Sequence, residues 1–389
     1  MFLKTALLFA GACVAGVLNT ATAALTNGHD LSSVAIMETA EGAHWISTSG
    51  NTTTIETILG EGGMQAVRLR YADLSHAINI LKPISLTSPS PWPLCMYHSI
   101  WTAGDYDLNY TLAQAQRYSK AGFKIYLDMH FSDTWADPHH QNIPAAWDNS
   151  SVETLAADLQ AYVTSTLQAF TDGGIDLDIL SLGNEITIGF LWPTGKLTTD
   201  NYNDFATLWK ASRQGVTDAV AAGTKQPQIM IHVDNGWDYD YVSKFFTGLF
   251  ANGTVTPDDV DVLGFSFYPF YGEEATIDAL KSSLTQIAND YNKPVYVAET
   301  DWPVACENVT LSADYPVSPE GQVQWVNAIK EVLEGLPNGL GGGIFYWEPA
   351  YIKVASLGSS CASALLFDVD WTNWPLTRAT AFSSVNMFV

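Results

Sequence analysis

The chain has 389 residues and carries 17 Lys and Arg against 41 Asp and Glu, a formal charge of −24. A field of that sign repels nucleic acid and anionic membranes and disfavours a strongly anionic polymer as substrate, while a neutral polymer is compatible with it. Plain solubility of an exported protein would account for the acidity equally well.

Read from the N-terminus, Lys4, the apolar stretch Ala6–Leu18 and Ala21-Thr22-Ala23 have the charged start, hydrophobic run and small-residue cleavage site of a secretory signal peptide. The run is too short to span a membrane. Cleavage after Ala23 would leave 366 residues, expected to be one large α/β domain, extracellular and monomeric. Five Asn-X-Ser/Thr sequons, at Asn51, Asn109, Asn149, Asn252 and Asn308, agree with export. Of the four cysteines, Cys13 leaves with the leader, Cys95 lies in an irregular segment, and Cys306 and Cys361 follow the last two predicted strands. A Cys306–Cys361 disulfide between neighbouring loops is the natural pairing in an oxidising compartment.

Short apolar, β-branched runs recur near 31–37, 64–70, 124–130, 178–184, 228–234, 261–267, 294–299 and 343–348. Helical patterns lie between several of them, at Leu108–Ala121, Val152–Asp172, Tyr202–Ala222, Ile277–Tyr291 and Glu320–Leu333. Eight strands alternating with helices predict an α/β fold of the single (β/α)8 barrel type, with the active site at the C-terminal ends of the strands. A doubly wound sheet is the other reading, but it would not usually gather acids from so many strand ends on one face.

The predicted C-terminal strand ends are polar and aromatic. In order they offer Arg68 and Arg70; His130 with Asp133, Trp135 and Asp137; Asn184 and Glu185; His232, Asp234 and Trp237; Tyr268; Glu299 with Trp302; and Trp347 with Glu348. Seven of the eight strands contribute. Glu185 and Glu299 suit glycoside hydrolysis, which needs one carboxyl able to hold a proton and a second, ionised one, about 5–5.5 Å apart when configuration is retained. Arg68 and Arg70, two of only five arginines, point to one side of their strand, and an arginine near Glu299 would favour its ionised form. Tyr268 could donate to the same carboxylate. His130 and His232 are read either as core residues or as groups bonding substrate hydroxyls or tuning Glu185. Trp135, Trp237, Trp302 and Trp347 are the candidate platforms for sugar rings, Trp347 foremost. His130, Asp133, Asp137 and His139 match no strong metal motif, so no metal and no cofactor are expected.

Several segments resemble the fungal endo-β-1,4-galactanases of glycoside hydrolase family 53. They are Leu127–Pro138 (LDMHFSDTWADP), Ser181–Ile186 (SLGNEI), Ile231–Trp237 (IHVDNGW), Phe267–Tyr271 (FYPFY), Val297–Pro303 (VAETDWP) and Tyr346–Ala350 (YWEPA). The resemblance runs from about residue 25 to the C-terminus. It implies a retaining barrel enzyme that cuts internal β-1,4-galactosidic bonds of type I arabinogalactan, with Glu185 as acid/base, Glu299 as nucleophile and Asn184 holding the 2-hydroxyl of the sugar being cleaved. It also implies the Cys306–Cys361 cystine, where bacterial members can carry calcium. A related barrel β-glycanase such as a mannanase, or a non-catalytic carbohydrate-binding barrel, is the alternative. Retention of both glutamates and both arginines argues against the latter.

The pattern breaks at Tyr71–Ser99, 29 residues with two charged side chains, four prolines, no glycine and Cys95. Removing them joins Arg70 to Ile100-Trp-Thr-Ala-Gly-Asp-Tyr-Asp-Leu108 and restores the family's short loop. The segment reads as a translated, frame-preserving retained intron, since a structureless stretch of this length within a compact domain is uncommon; the alternative is a lid.

Overall fold

A computed structural model describes residues 24–72, 105–198, 202–307 and 309–389. The expected leader at 1–23, Cys95, Asn308 and the insert beyond Ala72 lie outside those residues. The order is β1 (Thr26–Asp30), α1 (Val34–Ala40), β2 (Ala43–Ile46), α2 (Ile55–Glu61), β3 (Ala66–Tyr71), α3 (Leu108–Lys120), β4 (Lys124–Met129) and α4 (Val152–Asp172). Then follow β5 (Ile179–Leu182), α5 (Asn203–Ala221), β6 (Gln228–Val233), α6 (Tyr239–Phe250), β7 (Val262–Ser266) and α7 (Ile277–Tyr291). β8 (Val295–Thr300), α8 (Pro319–Glu334), β9 (Gly341–Tyr346), β10 (Phe367–Asp370) and β11 (Thr377–Ala381) complete it.

Eight strands close into a barrel in the order β1-β3-β4-β5-β6-β7-β8-β9, each paired in parallel with its neighbours. The (β/α)8 expectation therefore holds. Outside it, β10, β11 and β2 form a three-stranded sheet that the sequence reading did not foresee. Helix α4 shows why the intervening segments are helical. The Ser151 hydroxyl caps its first turn by accepting from Thr154 N–H, and Leu155, Leu159, Val163, Thr166, Leu167 and Phe170 form one buried stripe. Each such fully buried apolar side chain contributes about 1.5–3 kcal/mol.

The first strand corrects the expectation at 31–37. Val34-Ala-Ile-Met37 is apolar and β-branched but begins α1, while the strand is Thr26-Asn-Gly-His-Asp30, poor in strand formers. Pairing with β3 and β9 overrides that local preference. Gly28 is required there because a Cβ would strike the ring of Phe345.

Side chains inside the barrel fall into layers. Ala66, Tyr126, Ile179, Met230, Val262, Tyr296, Ala298 and Phe345 make an apolar floor. Two residues further along their strands come Arg68, Asp128 and His232, all fully buried. In β8 the alternation is broken. Phe265 pairs with Val297 but Ser266 pairs with Glu299, so β8 carries one extra residue. Ala298 belongs to the floor, the next residue Glu299 also turns inward to meet Arg68, and Thr300 faces the helices, accepting from Trp325 Nε1. A bulge that re-aims a side chain is thus built into this strand end.

Candidate active site

Arg68 is the hub of the upper layer. Its guanidinium binds Asp30 at 2.7 Å, Asp128, and Glu299 Oε1 at 2.6 Å, and donates to Asn184 Oδ1 at 2.9 Å. Three carboxylates from β1, β4 and β8 are thereby held on one planar fork, an arrangement an ammonium could not reproduce. Tyr268 donates to Glu299 Oε2 at 2.7 Å, so both oxygens of this carboxylate, 6% exposed, are fixed.

Glu185 arrives from the opposite side of the barrel. After β5 the chain turns at Gly183, φ 101°, and Glu185 itself adopts φ 46°, ψ 50°. A non-glycine residue in this left-handed region costs about 1–3 kcal/mol and persists where the surroundings impose it. Its carboxyl is the more readily protonated of the two glutamates. Burial, the Glu299 charge and Asp234 all push Glu185 well above the usual carboxylate range, with only the Ser266 hydroxyl opposing among the larger influences. Burial raises Glu299 too, but Arg68 and Tyr268 act against it. The expectation that an arginine would favour the ionised form is met as a contribution, and desolvation outweighs it in the net direction.

The arginines divide their work. Arg70 makes a buried ion pair with Glu348, which also accepts from Ser33 Oγ at 2.5 Å. Its guanidinium lies 5.1, 5.1 and 5.2 Å from the ring centres of Tyr106, Trp135 and Trp347. Trp135 and Trp347 meet edge to face at 6.2 Å, with Trp135 half-buried and Trp347 7% exposed. Asn184 accepts from Arg68 and donates to Ala136 O at 3.1 Å, leaving one amide proton of its side chain for another acceptor.

Other candidates are placed differently from the reading of the strand ends. His130 is held at both nitrogens, 3.1 Å from Asp128 and 3.1 Å from Trp135 O, so it orients Asp128 and the Trp135 loop and has no nitrogen left for a sugar hydroxyl. Asp133 accepts from Ala145 N–H at 2.7 Å and shapes the same loop. His232 is buried and lies 2.9 Å from Ser266 Oγ. Asp234 accepts from Thr187 Oγ1 and from Asn235 Nδ2, and half-buried Trp237 donates to Asn235 Oδ1 at 3.2 Å. Trp302 overturns its expectation as a platform. It is 0% exposed, donates to Pro316 O at 2.8 Å and packs on Tyr315 and Trp325, leaving no face for a sugar.

The site also holds groups the sequence reading missed: Asp30, Asp128 as an Arg68 partner, Ser266, and Asp301. Asp30 brings in β1, so the eighth strand contributes as well. Among the described residues, Asp128, His232 and Glu299 place ligand atoms within 4.8 Å of one another, but Arg68 already binds both carboxylates and supplies the positive charge there. Cys306 and Cys361 form a disulfide joining the loops after β8 and β9. The sequons at Asn51, Asn109, Asn149 and Asn252 are exposed. No helix of the described residues is long and apolar enough to cross a membrane.

With this geometry in hand, the comparisons are consistent with one another. A family model described as glycosyl hydrolase family 53 matches residues 26–378. An arabinogalactan endo-β-1,4-galactanase A of Aspergillus niger is 40% identical over 370 residues, covering 94% of this chain and 96% of that protein. An arabinogalactan endo-β-1,4-galactanase of Thermothelomyces thermophilus is 38% identical over 345 residues, covering 87% of this chain and 94% of that one. Among solved structures, a fungal β-1,4-galactanase superposes with a TM-score of 0.79 at 36% identity, covering 94% of this chain and 99% of that chain. The catalytic domain of a family 53 protein from Ignisphaera aggregans gives 0.74 at 25% identity, covering 94% and 95%.

Proposed function

Because the chain belongs to glycosyl hydrolase family 53 and is a glycoside hydrolase, we propose that it is a secreted retaining endo-β-1,4-galactanase acting on internal bonds of type I arabinogalactan. The substrate follows the names of its relatives, and the mechanism rests on one observation: Arg68 and Tyr268 grip both oxygens of Glu299, while Glu185 is left to hold a proton.

In the first half-reaction an oxygen of Glu299 attacks the anomeric carbon. The glycosidic C–O bond breaks, and the proton of Glu185 passes to the departing oxygen. The result is a galactosyl ester of Glu299, with Glu185 ionised. In the second, Glu185 takes a proton from water as that water's oxygen bonds to the anomeric carbon, and Glu299 leaves. Two inversions give net retention. Asn184 offers its remaining amide proton to the 2-hydroxyl, and Trp347 with Trp135 offers the apolar faces against which the ring rests. The signal-like segment at 1–23 and the exposed sequons support secretion.

Purified protein incubated with galactan should release short galacto-oligosaccharides whose newly formed reducing ends are β by proton NMR at early times. Absence of new reducing ends, equal turnover of mannan or xylan, or an initial α product would overturn the reading.

A further inference from the structure

Ser33 occupies the N-cap position of α1, where a serine hydroxyl ordinarily accepts a backbone N–H of the first helical turn. It makes no such bond, and with 0% exposure it has no surface for a sugar either. Its hydroxyl is turned instead toward the loop after β9. Ser33 Oγ lies 2.5 Å from Glu348 Oε1, 2.7 Å from the Tyr106 hydroxyl and 3.2 Å from Arg70 Nη2, and Ser33 N–H donates to Glu348 Oε2 at 3.4 Å. We propose that Ser33 is a positioning residue for substrate, clamping Glu348 and the Arg70 guanidinium together and thereby fixing the Trp347 and Trp135 rings. The clamp rests on the reading of those two rings as the sugar platform and deepens it.

Counting protons gives the network one direction. A hydroxyl has a single proton to donate and two lone pairs, and a guanidinium can only donate. Ser33 Oγ therefore accepts from Arg70 Nη2, gives its own proton to Glu348 Oε1, and keeps its second lone pair for the Tyr106 O–H. Arg70 is anchored at one end only. Its Nη2 carries both polar bonds, to Glu348 and to Ser33, while Nε and Nη1 find no acceptor among the described residues. The rest of the guanidinium lies against the rings of Tyr106, Trp135 and Trp347, so whatever holds Nη2 sets where those rings rest. Glu348 is also tied to the platform through the chain. It follows Trp347 directly and has φ 42°, a left-handed conformation that a non-glycine residue keeps where its surroundings impose it. The donors from Ser33 and Arg70 supply that constraint.

The test measures kcat and KM on galactan for Ser33→Ala, Glu348→Gln, the double variant and Trp347→Phe. A surface that binds ground and transition states alike shows its loss in KM. Ser33→Ala should accordingly raise KM about ten-fold, the effect of one hydrogen bond to a charged group, with the smaller part of the fall in kcat/KM lying in kcat. Because Ser33 acts through Glu348, the double variant should show the KM of Glu348→Gln alone, whereas two independent structural roles would multiply. If Ser33→Ala does not accumulate folded, Tyr106→Phe, which removes only the O–H given to Ser33, should raise KM in the same direction by a smaller factor. An unchanged KM in the folded variants, or multiplying effects in the double variant, overturns the clamp. Trp347→Phe distinguishes that failure from failure of the parent reading. A raised KM there beside an unchanged KM in Ser33→Ala rejects the clamp and keeps the platform, while an unchanged KM in Trp347→Phe rejects the platform and the clamp with it.

Discussion

Arg68 Nη2 lies 2.6 Å from Glu299 Oε1, and the same fork holds Asp30 and Asp128. Removing the guanidinium leaves three buried carboxylates without their cation. Arg68→Met should therefore lose about 3–5 kcal/mol of stability, and Arg68→Lys should fold better yet lose most activity because one ammonium cannot reproduce the planar fork. Denaturant unfolding and kcat of both proteins check this; a lysine variant with wild-type kcat would show that the geometry of the fork is immaterial.

The Tyr268 hydroxyl stabilises ionised Glu299. Without it Glu299 binds its proton more tightly, and since only the ionised form attacks, the acidic limb of kcat/KM moves to higher pH in Tyr268→Phe. At its optimum the variant should lose roughly 10²-fold in kcat, about 3 kcal/mol of transition-state stabilisation. A pH profile identical to wild type counts against Tyr268 as the partner of the nucleophile.

Two tryptophans that look alike in sequence should behave oppositely. Trp302→Ala empties a fully buried site and should cost about 3–5 kcal/mol of stability with KM of the folded fraction unchanged. Trp347→Phe keeps an aromatic ring in place and should lose less stability than Trp302→Ala while raising KM for galactan, since Trp347 packs on Arg70 and meets Trp135 edge to face. Thermal melts alongside KM separate them, and a raised KM in folded Trp302→Ala would return that residue to the substrate site.

That contrast marks what could be read without a structure. Parallel barrel strands are buried on both faces and appear as apolar runs between turns, so seven of eight were found close to their places. The eighth, β1, was hidden because its residues are chosen for the site and for close approach to Phe345. The bulge at Ala298–Glu299 was invisible because it is a property of pairing between β7 and β8. It also explains Trp302: once Thr300 faces the helices, Trp302 two residues on faces them too. Glu185 and Glu299 were legible because a carboxylate ending an apolar run is rare. Asp30 and Ser266 are short polar residues whose meaning lies wholly in their neighbours.

Asp301 carries a pH dependence of stability. It is fully buried, and burial together with Glu299 and Glu348 raises it well above the usual range against a weaker pull from the backbone N–H of Trp347. The folded state therefore keeps a proton that the unfolded chain has released. Its contribution is neutral below the unfolded carboxylate range and becomes destabilising as pH rises above that range towards the folded value. Asp301→Asn should raise Tm at neutral pH and flatten the fall in Tm between acidic and neutral conditions; a variant whose Tm tracks wild type at every pH would show that Asp301 is not a protonated acid.

Residues 71–99 make the last expectation a matter of chain length. Ala72 N–H donates to Tyr106 O at 3.0 Å, so the chain on the two sides of the segment meets at the end of β3. With 71–99 absent, Ile100 would follow Arg70, taking the buried place where Tyr71 now pairs with Met129, and Trp101 would take that of Ala72. Four residues, Thr102–Asp105, would then separate Trp101 from Tyr106, within the span of a tight turn. The apolar continuation and the short closure both suit the barrel rim beside Arg70. Messenger RNA from cells grown on galactan should lack codons 71–99, and the shortened protein should express in higher yield with a higher Tm and full activity. A transcript retaining those codons in the main secreted product, or a shortened protein that fails to fold while the long one is active, would establish the segment as a genuine part of the enzyme.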